Sequence, residues 1–153
     1  MKVENILFPT DFSEGSSLAL HYAKDFTLHY AAKLYILHVV YDISKSTGLN
    51  IPHISSDEVC KELSDWAVKE IDKFCKDDIQ ELSNVEKKVV HGTPWEEIIN
   101  FADNEKIDMI VMGTYGRTGI ERLIFGNTAE RVVRRAPCPV MTVRVPVHRD
   151  TAK

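Results

Sequence analysis

Short apolar runs alternate along this chain with longer segments in which apolar residues recur at helical spacing. Residues 6–8, 34–40 and 107–112 are runs of the first kind. Such runs are typical of strands that are buried on both faces, and parallel strands need helical crossovers between them. The alternation therefore predicts an α/β fold: a single domain with an open parallel sheet and helices on both of its faces.

Two further segments bring the expected sheet to five strands. Residues 85–91 form a weaker, alternating run, and a strand from Val140 to Val145 follows the double break at Pro137 and Pro139. Ligands of such sheets lie beyond the carboxyl ends of strands, where the winding direction reverses. We therefore expect site residues at the strand ends, especially at residues 9–11 and from Gly113 onward.

Four helices are expected between the strands. Their start signals lie at Asp11 or Ser13, near Ser56, at Thr93, and at Asn127. The third signal is the sharpest, because Thr93 can cap the helix, proline takes the first helical position and Glu96 lies three residues after Thr93. The second helix is expected to continue to Leu82. Trp66 and Trp95 lie on apolar helical faces, which predicts that both rings are in the core.

Composition excludes several classes of protein. The 153 residues are 44% apolar, enough for one sizeable core, and the net charge of −4 gives no global reason to bind nucleic acid or an anionic membrane. No apolar run approaches the roughly 18 residues of a membrane helix. The three cysteines form no Cys-x-x-Cys pair, which indicates a reducing compartment. We expect a cytoplasmic protein with no nucleic-acid or membrane partner.

Charge is unevenly distributed along the chain. Residues 113–153 carry eight basic side chains against three acidic ones, and all seven arginines of the protein lie there. Four of the seven glycines fall in the first fourteen residues of this segment. A segment rich in both glycine and arginine is where a phosphate-bearing ligand is expected.

The glycine spacing suggests how a phosphate could be held. The segment reads Gly-x2-Gly-x9-Gly-Asn, with Gly113 directly after a strand and Gly126 directly before a helix. Glycine lets backbone N–H groups approach a bulky anion, and a helix N-terminus adds unpaired N–H groups and a positive dipole end. The alternative is that Gly113 and Gly116 only form a tight turn and Asn127 only caps the helix.

Several stretches together resemble the universal stress protein family. They are ILFPTDFS at 6–13, TPWEEI at 93–98, DMIVMGTYG at 108–116 and GNTAERVVRRAPCPVMTV at 126–143. The glycine pattern resembles that of the family's ATP-binding branch, although many members carry serine where this chain has Asn127. The resemblance implies a Rossmann-like fold of the adenine nucleotide alpha hydrolase type, with strand order 3-2-1-4-5. The domain is expected to span residues 1–146, followed by a short tail at 147–153.

The resemblance also implies roles for individual residues. It places Asp11 at the ribose hydroxyls, Pro9, Thr10, Val39 and Met112 around adenine, and Gly113, Gly116, Gly126, Asn127 and Thr128 at the triphosphate. Arg117 is either a phosphate partner or a solvent-exposed side chain. From the residues alone, Asp11 could equally be the N-cap of the first helix.

Two functions are compatible with these features. The first is an ATP-binding stress-response or signalling switch, with Mg or Mn bound mainly through phosphate oxygens and water rather than by protein ligands. No Walker-type Gly-x4-Gly-Lys-[Ser/Thr] motif or obvious catalytic base is present, so hydrolysis should be slow at most. The alternative is a nucleotide-free dimerisation or scaffold module with a vestigial pocket. In both, a homodimer forms through the strand from Val140 to Val145.

Overall fold

The computed structural model describes residues 2–41, 57–114 and 127–145. Nine elements alternate along these ranges: β1 (Asn5–Pro9), α1 (Glu14–Tyr30), β2 (Lys33–Tyr41), α2 (Asp57–Cys75), β3 (Val85–Gly92), α3 (Pro94–Asn104), β4 (Met109–Gly113), α4 (Asn127–Arg135) and β5 (Val140–Val143). The tail expected at 147–153 lies outside the described residues.

The five strands form one parallel sheet in the order β3-β2-β1-β4-β5. β1 lies at the centre, with Ile6 opposite Leu34 of β2 on one side and Met109 of β4 on the other. The chain first winds outward from β1 to β3 and then returns to the far side of β1 for β4 and β5. The predicted order is confirmed, and the winding reverses between β1 and β4.

Helices cover both faces of the sheet, because successive strand residues point to opposite sides. Ile6 and Phe8 of β1 pack into a core with α1 and α2, which contribute Leu20 and Ile71 among others. Leu7 points the other way, into a second core built with α3 and α4. All four of these β1 and α2 core side chains, Ile6, Leu7, Phe8 and Ile71, are fully buried. The central strand β1 is therefore buried on both faces, as the sequence predicts for residues 6–8.

Two local expectations about the helices are wrong. α2 ends at Cys75 and not near Leu82, and turns with i→i−3 hydrogen bonds follow, from the N–H of Asp78 to the Cys75 carbonyl and from the N–H of Leu82 to the Ile79 carbonyl. Ile79 and Leu82 still pack against the first core. Their spacing in the sequence therefore reflects packing against the core, although neither residue lies in a helix. α3 begins at Pro94 as expected, but the side chain of Thr93 makes no capping hydrogen bond.

Candidate functional site

The carboxyl ends of β1, β2 and β4 bring most of the described candidate residues to one edge of the sheet. Pro9 ends β1, Val39 lies near the end of β2, and Met112 precedes the last residue of β4. The N–H of Thr10 donates to the carbonyl of Leu37 at 2.9 Å, which extends the pairing of β1 with β2 past the strand. This edge is the crevice at the winding reversal, where ligands of open α/β sheets bind.

Asp11 organises the loop between β1 and α1. Its Oδ1 accepts hydrogen bonds from the N–H of Ser13 at 3.1 Å and from Oγ of Ser16 at 2.7 Å. The N-cap of α1 is Ser13, whose side chain accepts from the N–H of Ser16 at 3.3 Å. The suggestion that Asp11 caps the helix is therefore wrong. The carboxylate of Asp11 instead forms an Asx turn in the loop that precedes the N-cap residue, and this turn fixes the position of the carboxylate at the end of β1.

Phe12 holds this loop in an unusual conformation. Its φ of 64° lies in the left-handed region, which costs a residue other than glycine roughly 1–3 kcal/mol. The ring stacks on His38 with centroids 4.4 Å apart, and the edges of Trp66 and Phe74 lie against it at 5.9 and 5.6 Å. Aromatic contacts of this kind contribute about 0.5–1.5 kcal/mol each and offset the strain. Nothing in the sequence signals the positive φ of Phe12.

His38 ties the same loop to β2. Its Nδ1 lies 2.8 Å from the carbonyl oxygen of Thr10, and since a carbonyl only accepts, this nitrogen carries the proton. Trp66, expected in the core, is 43% exposed and borders this aromatic cluster at the surface. The expectation was wrong for this ring, because the helical period predicts which face of α2 turns inward but not how deeply each side chain on that face is buried.

Gly113 is required by close packing of β4 against α1. A Cβ at this position would lie 2.8 Å from the backbone carbon of Gly15, 2.9 Å from its oxygen and 3.2 Å from the N–H nitrogen of Ser16. The sequence suggested that the missing side chain leaves room for a phosphate. On that side of Gly113, however, the space is already taken by the first turn of α1.

Thr114 follows Gly113 and was not among the residues singled out by sequence. Its N–H donates to the carbonyl of Val143 at 3.0 Å, so the extended pairing of β4 with β5 continues through it. The residue is 4% exposed, and its Oγ1 is buried without a hydrogen-bond partner among the described residues.

α4 begins at Asn127, so its N-terminus lies at the same edge of the sheet, since a right-handed crossover runs antiparallel to the strands. Thr128 is half-buried and Ala129 packs into the second core. Gly116, Arg117 and Gly126, the remaining candidates, lie outside the described residues. The structure thus gathers Pro9, Thr10, Asp11, Val39, Met112, Gly113, Asn127 and Thr128 at one edge.

Two of the three cysteines are buried or half-buried, and this affects their reactivity. Burial raises the pKa of Cys75 to about 12, and burial also raises the pKa of Cys138, so neither thiol is a ready nucleophile at neutral pH. Across residues 2–41, 57–114 and 127–145, no three His, Cys, Asp or Glu side chains are grouped as metal ligands. None of the helices in these ranges has the length and apolar character needed to cross a bilayer.

Comparison with known proteins gives a consistent picture. The profile of the universal stress protein family matches residues 2–144. Universal stress protein MJ0531 of Methanocaldococcus jannaschii is 38% identical over 144 residues, which cover 94% of this chain and 83% of that protein. Universal stress protein MJ0577 of the same organism is 31% identical over 153 residues, covering 92% of this chain and 94% of the relative.

Solved structures share the fold. The structure of MJ0577 superimposes with a TM-score of 0.83 at 28% identity and covers 96% of this chain and 99% of that one. A universal stress protein from Archaeoglobus fulgidus, solved in complex with dAMP, gives a TM-score of 0.58 at 23% identity and covers 94% of this chain and 99% of that one. The second likeness is one of fold alone.

Proposed function

Since this chain belongs to the universal stress protein family, we propose that it binds ATP in the crevice beyond β1, β2 and β4. Nucleotide occupancy then switches its interactions in a stress or signalling response, with hydrolysis slow at most. One observation carries this proposal. A fixed carboxylate, apolar strand ends and a helix N-terminus meet at the winding reversal of the sheet. A dAMP complex is known for another protein of this fold, which makes an adenine nucleotide the first ligand to test.

The strand ends suit a flat purine. Pro9 and Met112 are buried and Val39 is half-buried, so this part of the crevice is lined by aliphatic groups. The backbone of Thr10 lies beside them, with its N–H bonded to the Leu37 carbonyl; its own carbonyl accepts from Nδ1 of His38, and a carbonyl oxygen has a second lone pair to offer a ligand. Apolar walls with a few fixed polar groups are typical of small-ligand sites.

Asp11 suits a ribose. A carboxylate offers about four lone-pair sites, so a group that accepts loop hydrogen bonds, those from Ser13 and Ser16 among them, can also accept from sugar hydroxyls. Those same two bonds, from Ser13 and Ser16, hold the group in one orientation. A pre-oriented acceptor loses little side-chain entropy when a ligand binds.

The phosphates are proposed to lie between the end of β4 and the start of α4. Gly113, Asn127 and Thr128 are the described residues at that place, and Gly116, Gly126 and Arg117 are proposed to complete it. The helix dipole and the basic segment both favour an anion there. Mg or Mn is proposed to accompany the triphosphate through phosphate oxygens and water.

Binding is tested on the purified, unheated protein. We expect mass spectrometry to find an adenine nucleotide released from it. If ATP is present at about a hundred times its Kd, the free energy of unfolding rises by about 2.7 kcal/mol, and Tm should rise by roughly 5 °C or more. GTP serves as the control and should give a smaller shift. An unchanged Tm at millimolar ATP would contradict the proposal and favour the nucleotide-free dimerisation module.

We also propose a homodimer through β5, which lies at the edge of the sheet. The carbonyls of Pro139 and Val143 face β4, so by alternation the backbone groups of Val140 and Thr142 face outward. An apolar edge strand is a template for antiparallel pairing with a second copy. The alternative scaffold function shares this feature.

The dimer is tested by removing one outward N–H. We expect Thr142→Pro to sediment as a monomer at concentrations where the wild type is a dimer, because proline has no N–H to donate across the interface. Thr142→Val keeps that N–H and should remain dimeric. A wild type that is monomeric throughout the micromolar range would rule out the interface.

A further inference from the structure

Thr114 is the exception among the buried serine and threonine residues of the described ranges; the one other buried side-chain polar atom without a partner there is Nε1 of Trp95. The other buried hydroxyl residues are Thr10, Ser16 and Thr27, and each has a partner: Thr10 Oγ1 accepts from the N–H of Phe12 at 3.0 Å, Ser16 Oγ donates to Asp11, and Thr27 Oγ1 donates to the carbonyl of Ala23 at 2.7 Å. The Thr114 hydroxyl has none in these ranges. Leaving a hydroxyl buried and unpaired costs a protein about 1–3 kcal/mol. Native structures pair such groups unless they have another use.

The position of Thr114 places this hydroxyl on the α4 side of the sheet. Met112 packs into the core shared with α3 and α4, whereas Gly113 faces α1. Since Thr114 continues the extended pairing to Val143, its side chain lies on the same face as Met112. The N-terminus of α4 begins on that face, at the same edge of the sheet.

We infer that Thr114 is a further ligand-binding residue, whose hydroxyl donates a hydrogen bond to a phosphate oxygen of the nucleotide held at the N-terminus of α4. This inference rests on the proposed function. An anionic oxygen is the acceptor that both features favour, because the helix dipole attracts negative charge and the hydroxyl needs a partner. In the free protein the hydroxyl gains no hydrogen bond from the described residues to offset its burial, and on binding a hydrogen bond to a charged group is formed.

Two variants separate this role from a structural one. Thr114→Val keeps the shape and removes the hydroxyl, and Thr114→Ser keeps the hydroxyl. We expect Thr114→Val to have a Tm, without ligand, equal to or above that of the wild type. Its Kd for ATP should rise about tenfold or more, the value of one hydrogen bond to a charged group, while Thr114→Ser stays within about threefold of the wild type.

The ligand series and a matched control complete the test. Adenosine lacks phosphate, so its Kd should be the same for Thr114→Val and the wild type. Thr27→Val, which removes a buried hydroxyl that has a partner, should lower Tm and leave both affinities unchanged. A Thr114→Val protein that binds ATP with wild-type affinity and has a lowered Tm would overturn this inference and leave the proposed function unaffected. A wild type that binds neither ATP nor adenosine would overturn both this inference and the proposed function.

Discussion

Replacing Gly113 with valine is expected to lower the free energy of unfolding by about 3 kcal/mol, and Tm by roughly 6–12 °C, in the absence of any ligand. A Cβ at this position would lie 2.8 Å from the backbone of Gly15, closer than such atoms approach in proteins. Because the obstacle is backbone and not the end of a flexible side chain, α1 as a whole has to move away from β4. The substitution is therefore expected to destabilise the folded state itself, independently of any effect on ligand binding.

Gly113→Ala is the graded companion of this variant, since its single methyl already meets the same atoms. Thermal and urea unfolding without nucleotide should show both variants destabilised, valine more than alanine. The interpretation drawn from the sequence, that the missing side chain only makes room for phosphate, predicts the reverse: intact stability with lost ATP binding. Wild-type Tm in both variants would therefore refute the packing argument.

Replacing Asp11 with asparagine is expected to raise the Kd for ATP about tenfold to a hundredfold while leaving Tm close to the wild-type value. The amide oxygen can still accept from the N–H of Ser13 and from Oγ of Ser16, so these two hydrogen bonds of the loop are kept. What changes is the other carboxylate oxygen, which becomes an N–H donor facing hydroxyls that need an acceptor. The loss of a charged acceptor from two hydrogen bonds has this magnitude.

Two comparisons make the result specific. Asp11→Ala loses both loop hydrogen bonds as well, so its Tm should fall in addition to its affinity. The wild type should bind ATP more tightly than 2′-deoxy-ATP by calorimetry, and this preference should shrink in Asp11→Asn. If Asp11→Asn binds ATP as the wild type does, the carboxylate serves only the structure of the loop.

Much of the fold is predictable from the chain because the relevant signals are local. Runs such as residues 34–40 are apolar without a break longer than one residue, which predicts burial on both faces and hence a parallel sheet. The start of α3 at Pro94 was likewise expected, since proline favours the first helical position. The end of α2 was not, because Ile79 and Leu82 lie in turns and still pack, half-buried, against the core at positions that continue the helical spacing.

The candidate site, too, was predictable from the sequence only in part. Its location at the carboxyl ends of β1 and β4, and the residue types found there, follow from the alternation of strands and helices in the sequence. The tertiary structure decided what each group does. Gly113 lacks a side chain because Gly15 lies against it, Asp11 braces the loop before α1 while Ser13 caps that helix, and Thr114 has a buried hydroxyl without a described partner. Periodicity and start signals are properties of neighbouring residues. Contacts between β4 and α1 join residues far apart in the chain, and only the packed fold sets their distances.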